Sequence, residues 1–206
     1  VLAIGSFLVE KKAAVAVEPP AEAALASLPG GRRLALRLAV MPDTFEPFST
    51  LRDVEGLPAR SEADAVRALS DGRKAGCDEL VVLRGEVAGA PMLPRLLSRA
   101  RRMGYRFIQL QTSGRPLAQP PLRSTLLPLV DAYEIPLLAG DEGLHDRLAD
   151  VPGAFRETAT AIQALARAGK DVLVTVPVVR SNLATLGRAA AIVQRLGGRR
   201  IQFNFV

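Results

Sequence analysis

The chain of 206 residues contains a single cysteine, Cys77, and no tryptophan, and only 4% of its residues are aromatic. One cysteine excludes an internal disulfide framework and any metal site built from cysteines of this chain alone. Few aromatic side chains leave few platforms on which nucleic-acid bases would stack. We therefore interpret the net charge of +6 as an arginine-rich, solvated surface, and nucleic-acid binding is disfavoured.

Long apolar runs are also missing from the sequence. No segment approaches the roughly 18 uninterrupted apolar residues that a bilayer crossing needs. Residues 1–9 are apolar, but the stretch is short and no basic region precedes it, so it does not have the pattern of a signal peptide. We expect no membrane association and a cytoplasmic location.

A glycine followed by a short apolar run recurs along the chain. Gly76, Gly104, Gly169 and Gly197 each follow a helix-like pattern and precede such a run. Glycine tolerates the left-handed conformation just after a helix, and a short apolar run that follows it indicates a buried strand. Strands are predicted at residues 34–40, 79–83, 106–111, 131–137, 171–178 and 200–205.

Local signals also place two helix starts. Ser61 and Asp64 form a capping box for a helix that ends near Ala75. Ser181 or Asn182 is expected to cap the helix after the fifth strand, because both side chains accept hydrogen bonds from the first turn of a helix. By contrast, the prolines of residues 117–121 predict a loop after the third strand.

Strands that alternate with helices predict an α/β fold with parallel pairing and right-handed crossovers. Six such units make an open, partial (β/α)6 barrel, since a complete TIM-like barrel has eight. We assign residues 31–206 to this barrel. Residues 1–30 are predicted to form an N-terminal extension with a β-hairpin and a short helix.

Three positions after the first predicted strand have the spacing of a cysteine motif without its cysteines. Met41, Phe45 and Phe48 match C-x3-C-x2-C. Thiolates at these positions would hold three irons of a four-iron cluster. A thioether and two benzyl groups offer no such ligands.

With this spacing and a partial barrel, the chain resembles the radical S-adenosylmethionine (radical SAM) enzymes. Two further motifs carry the resemblance. After strand two, where the family has Gly-Gly-Glu-Pro, this chain has Arg84-Gly85-Glu86-Val87. After strand three, where the family often has Gln-Thr-Asn-Gly, it has Gln111-Thr112-Ser113-Gly114. Arg84 stands where a glycine lets the backbone approach the ligand, so it is expected to crowd the pocket.

The resemblance implies a degenerate member of the family. Without the three cysteines we expect no iron–sulfur cluster, no radical chemistry and no bound cofactor, although residual binding of S-adenosylmethionine is open. The expected role is that of a pseudoenzyme: a binding or partner subunit, in peptide modification. Its partner would be a protein or peptide, an active radical SAM homologue, or a second copy of the chain.

The residues leave an alternative open, in which the barrel mouth binds S-adenosylmethionine or another small anionic ligand for non-radical chemistry. Guanidinium groups that follow strands would suit an anion. The candidate ligand-binding residues are Arg84, Gly85, Glu86, Gln111, Thr112, Ser113, Arg115 and Arg180. A hard divalent metal or acid–base pair is also conceivable, although the spacing does not favour it. Its residues would be Asp43, Glu46, Glu86, Asp141, Glu142 and His145.

Overall fold

Six parallel strands form one sheet in a computed structural model that describes residues 32–37, 61–83 and 87–205. The strands lie side by side in the order in which they occur along the chain. They are β1 Arg33–Arg37, β2 Glu79–Leu83, β3 Phe107–Gln111, β4 Ala132–Pro136, β5 Asp171–Val178 and β6 Arg200–Phe205. All six predicted strands are confirmed, except that the last three residues predicted for β1 lie outside the described residues.

Six α-helices connect these strands in the described part of the chain. They are α1 Glu62–Lys74, α2 Leu93–Arg102, α3 Pro120–Leu126, α4 Glu142–Ala149, α5 Ala154–Arg167 and α6 Leu186–Arg195. One helix follows β1, β2, β3 and β5, and two follow β4. The described strands show no pairing of β6 with β1, so the predicted open, partial (β/α)6 barrel is confirmed. The predicted extension of residues 1–30 lies outside the described residues.

The two faces of the sheet differ in character. Successive side chains of a strand point to opposite faces, and one set packs with the helices into the main core. That set includes Leu36, Val82, Leu110 and Val174, all of which are buried. We call the opposite side of the sheet the inner face. There Ala35, Val81 and Leu83 form a small, separate apolar cluster.

Helix α1 begins and ends as the sequence predicts. Ser61 is its N-cap: its hydroxyl accepts a hydrogen bond from the Asp64 backbone N–H at 3.1 Å and donates one to the Asp64 carboxylate at 2.6 Å. After the helix, Gly76 has a φ of +85°, which most residues avoid. The other three predicted turn glycines also have positive φ.

Two local predictions are wrong. Neither Ser181 nor Asn182 caps α6, whose N-cap is Thr185 and has no side-chain cap bond. Asn182 precedes the 3-10 turn Leu183–Thr185, but its side chain binds loop backbone and not the first turn. The proline-containing segment after β3 is more regular than a loop, because it forms a 3-10 turn, Arg115–Ala118, followed directly by α3. Proline is well tolerated in the first turn of a helix, where its missing N–H has no partner to lose.

None of the helices in the described residues combines the length and the apolar character that a bilayer crossing requires.

We expect Gly140, in the loop between β4 and α4, to tolerate no side chain. A Cβ there would lie 2.4 Å from the Ala189 backbone nitrogen and 2.5 Å from the Thr185 carbonyl oxygen, and these backbone atoms of the α6 region would have to move. Gly140→Ala should therefore lower the free energy of unfolding by about 2–3 kcal/mol in urea denaturation. Gly187→Ala is the matched control. Gly187 lies in α6, and a Cβ added there would meet no atom within 4 Å, so this change should be neutral or stabilise by up to about 1 kcal/mol. Equal losses in the two variants would contradict the packing argument.

Candidate functional site

The loop after β3 carries three of the predicted ligand-binding residues. Gln111 ends β3, and Thr112 and Ser113 follow it, both buried at 3% exposure. Their hydroxyls accept hydrogen bonds from backbone N–H groups two residues on, at 3.2 Å from Gly114 and 3.3 Å from Arg115. These short-range bonds fix the conformation of the loop at the carboxyl end of the sheet, where barrel enzymes place their sites.

Two of the three predicted anion-binding arginines lie in the described residues. Arg115 donates from Nε to the Glu157 carboxylate at 2.8 Å, which joins the loop after β3 to helix α5. Arg180 is exposed in the turn that follows β5. Arg84 lies outside the described residues, so an anion site formed by the three arginines stays a prediction.

Several other predicted residues also lie outside the described part of the chain. These are Met41, Asp43, Phe45, Glu46, Phe48, Gly85 and Glu86. The proposed roles of these residues therefore rest on the sequence.

The metal alternative gains no support from the described residues. Asp141 caps α4 by accepting from the Leu144 N–H at 3.0 Å, and Glu142 pairs with Arg156 at 2.7 Å. His145 is buried, with its ring against Phe155. The described part of the chain contains no cluster of three or more histidine, cysteine or acidic side chains that would hold a metal ion.

His145 is the only histidine of the chain and is 1% exposed. Neither ring nitrogen has a hydrogen-bond partner among the residues that the structure describes, and the ring lies edge-on to Phe155 with the centroids 5.5 Å apart. Burial, opposed by Asp146 and assisted by the Arg115 charge, lowers the pKa of His145 to about 4. The imidazole is therefore neutral at physiological pH.

Asp146 fixes the junction between α4 and α5. Its carboxylate accepts hydrogen bonds from the backbone N–H of Gly153 at 2.6 Å and of Phe155 at 2.8 Å. Burial acts to raise the pKa of Asp146, but these two bonds and the nearby charges of His145 and Arg156 leave it below the usual value. The carboxylate has a structural role at the start of α5.

A polar cluster on the inner face was not predicted. Glu134 of β4 accepts hydrogen bonds from the side-chain amides of Gln109 and Gln111 on β3, each at 3.1 Å. In the sheet Gln111 is the direct neighbour of Glu134. Burial raises the pKa of Glu134, and the two amide bonds and the Arg200 charge oppose that shift. We call these three residues the Glu134 cluster.

Further polar side chains continue along the inner face on β5 and β6. Thr175 is paired in register with Gln202, and the Gln202 amide donates to the Asn204 side-chain oxygen at 2.7 Å. The signal for these groups was present in the sequence as apolar–polar alternation, in Ile108-Gln109-Leu110-Gln111 and again in residues 200–205. We interpreted both runs as strands buried on both faces, and so missed their polar side.

Cys77 lies at the opposite end of the sheet from these loops. It immediately precedes β2, and burial raises the pKa of its thiol. The start of β2 is in register with the first residue of β1, Arg33. At 3.3 Å per residue, that level lies roughly 13 Å from the carboxyl end of β1.

Solved structures show that the chain has the fold of radical SAM enzymes. SuiB from Streptococcus suis, bound to its precursor peptide SuiA, matches with a TM-score of 0.65 and 15% identity over 84% of this chain and 39% of SuiB. The enzyme anSMEcpe with bound AdoMet matches with a TM-score of 0.66 and 13% identity over 84% of this chain and 51% of that protein.

A domain of a pyruvate-formate lyase-activating enzyme from Bacteroides vulgatus has a TM-score of 0.51 and 19% identity, covering 60% of this chain and 77% of that domain. No protein-family profile matches the sequence, and no curated protein matches it. The chain spans less than two thirds of the length of SuiB and of anSMEcpe. At these sequence identities, the structural similarity establishes the fold alone.

We expect His145 to make the protein less stable in mild acid. The unfolded chain binds a proton on this histidine below about pH 6.5, whereas the folded protein does so only near pH 4. The stabilising contribution is therefore complete above pH 6.5 and is lost as the pH falls toward 4, by about 3 kcal/mol.

Urea denaturation between pH 7.5 and 4.5 measures this loss, with His145→Leu as the comparison. Because the chain has one histidine, subtracting the two curves cancels the contributions of the carboxylates other than Asp146, whose pKa is coupled to that of His145. The difference should grow as the pH falls. Parallel curves would show that burial of the neutral imidazole does not control acid stability.

Proposed function

We propose that this protein is a radical SAM-fold binding subunit that carries no iron–sulfur cluster and recognises a peptide or protein partner. The proposal rests on the side chains at the three cluster-binding positions of the family. Met41, Phe45 and Phe48 occupy the three positions at which the family binds iron. Fold does not determine activity; the groups at the site do.

The residues present do not fit a four-iron cluster. Cluster irons are bound by cysteine thiolates, with histidine as a rarer substitute. The one thiol of the chain, Cys77, is buried in its protonated form at the amino end of the sheet, and His145 is buried beside Phe155. Neither residue replaces the three missing ligands.

Two features support a binding role. SuiB has been solved with its precursor peptide SuiA, and anSMEcpe with AdoMet and a peptide, so proteins of this fold do hold peptides. In this chain, β6 forms one edge of the described sheet and exposes Phe203 at 37% and Phe205 at 74%. An unpaired strand with apolar side chains is a surface to which a further strand or helix adds.

Anaerobic reconstitution with iron and sulfide tests the loss of the cluster. We expect no stoichiometric iron and no broad visible absorption of the kind that thiolate-ligated clusters give. An intact three-cysteine radical SAM enzyme, treated in parallel, provides the positive control. Cys77→Ser should leave the background iron content unchanged, because that thiol is buried at the amino end of the sheet. A brown, redox-active protein that cleaves S-adenosylmethionine on reduction would overturn the proposal.

Calorimetric titration with S-adenosylmethionine distinguishes the binding subunit from an enzyme that uses the old pocket. Without the iron that chelates the amino and carboxyl groups in the family, we expect no saturable heat at micromolar concentrations. Gln111→Ala and the exposed Gln119→Ala are matched variants, since only Gln111 lies on the inner face. Tight binding that Gln111→Ala weakens and Gln119→Ala does not would favour the enzyme.

A further inference from the structure

The inner face carries three carboxylates in the described strands, and one of them differs from the other two. Glu79 pairs with Arg33 at 3.1 Å, and Asp171 pairs with Arg200. Glu134 has no lysine or arginine within ion-pair distance among the described residues. The Arg200 charge acts on Glu134 from a greater distance, and Arg200 itself pairs with Asp171. The hydrogen-bonded partners of Glu134 are neutral amides.

The geometry of these amides determines what the cluster offers to a ligand. Gln109 and Gln111 each use an Nε2–H group to reach a different oxygen of the Glu134 carboxylate. This leaves the Oε1 atoms of both glutamines, together with the remaining lone pairs of the carboxylate, as hydrogen-bond acceptors. The cluster is therefore rich in acceptors and carries a negative charge.

Burial makes that charge costly without a counter-charge. Glu134 is only partly exposed, and desolvation raises its pKa. A ligand with a positive charge and several N–H groups would pair with the carboxylate and donate hydrogen bonds to the free acceptors of the cluster. An ammonium group has three donors and a guanidinium group has five, and neither has an acceptor.

The surroundings favour a cation on an aliphatic stem. Leu173 of β5 is the register neighbour of Glu134 on one side, and Val81 of β2 is the register neighbour of Gln109 on the other. Lysine and arginine lay their methylene stems along such apolar surface while the charged head reaches a polar group. A bare metal ion would gain nothing from these side chains.

We infer that the Glu134 cluster binds an alkylammonium or guanidinium group, as in a lysine or arginine side chain of a peptide partner. The inference rests on the proposed function only for the source of that cation, since a free polyamine has the same chemistry.

The test uses the full chain and small probes of defined charge. Nα-acetyl-L-lysine methylamide is titrated at pH 7.5 and followed by amide chemical shifts. Nα-acetyl-L-norleucine methylamide, which keeps the stem and lacks the charge, is the control ligand, and spermidine represents free polyamines. We expect saturable binding of the lysine probe and at least tenfold weaker binding of the norleucine probe.

Glu134→Gln keeps the size of the side chain and removes its charge, so it should lower the affinity for the lysine probe at least tenfold. Glu79→Gln is the matched control on the same face, and it should change binding less than twofold, because Glu79 already has Arg33 as partner. Leu173→Lys provides an independent variant. It places an ammonium group beside Glu134 within the chain and should abolish binding while the fold, checked by circular dichroism, is kept.

Equal binding of the lysine and norleucine probes, or unchanged binding in Glu134→Gln and Leu173→Lys, would overturn the inference. If spermidine binds more strongly than the lysine probe, and both Glu134→Gln and Leu173→Lys lose this binding, the cation site is supported and its ligand is a free polyamine. The iron assay and the S-adenosylmethionine titration do not depend on these experiments. Failure of the cation site is therefore distinguishable from failure of the proposed function.

Discussion

The register of the parallel sheet is the constraint on which the inner-face chemistry depends. Leu110 and Tyr133 are neighbours on the helix-covered face and are fully or almost fully buried there. Because side chains alternate, their burial directs Gln111 and Glu134 to the inner face. A slip of one residue would place a carboxylate in the apolar core, so the core enforces the register that assembles the polar cluster.

The elements that could be predicted are those whose signals are local. A capping serine with an aspartate three residues on, or a glycine after a helical repeat, acts within a few residues, which is why α1 and all six strands were found. The short helix α4 was missed although its cap, Asp141, is local. The role of Asn182 was missed because it depends on a partner far along the chain. Asn182 reaches back 44 residues to the carbonyl of Leu138.

The inner face was missed for a related reason. A strand in a parallel barrel was assumed to be apolar on both sides, and the alternating glutamines of β3 were not weighed against that assumption. The Glu134 cluster becomes visible only when β3 and β4 are paired, since its bonds join residues 23 and 25 positions apart. The residues of the missing cysteine motif, by contrast, are visible in the sequence alone. The fold, by comparison, is shared with radical SAM enzymes at 13–19% identity.

Asn182 bridges the chain segments at the carboxyl ends of β4 and β5. Backbone pairing between β4 and β5 continues to the bond from Leu137 N–H to the Thr175 carbonyl. Beyond it, the Asn182 amide donates to the carbonyls of Leu138 and Pro177, both at 2.7 Å. A single side chain therefore acts as the spacer between the two diverging chain segments. The separation of these two segments is set by the length of one amide side chain, whereas β4 and β5 below it are held by backbone pairing.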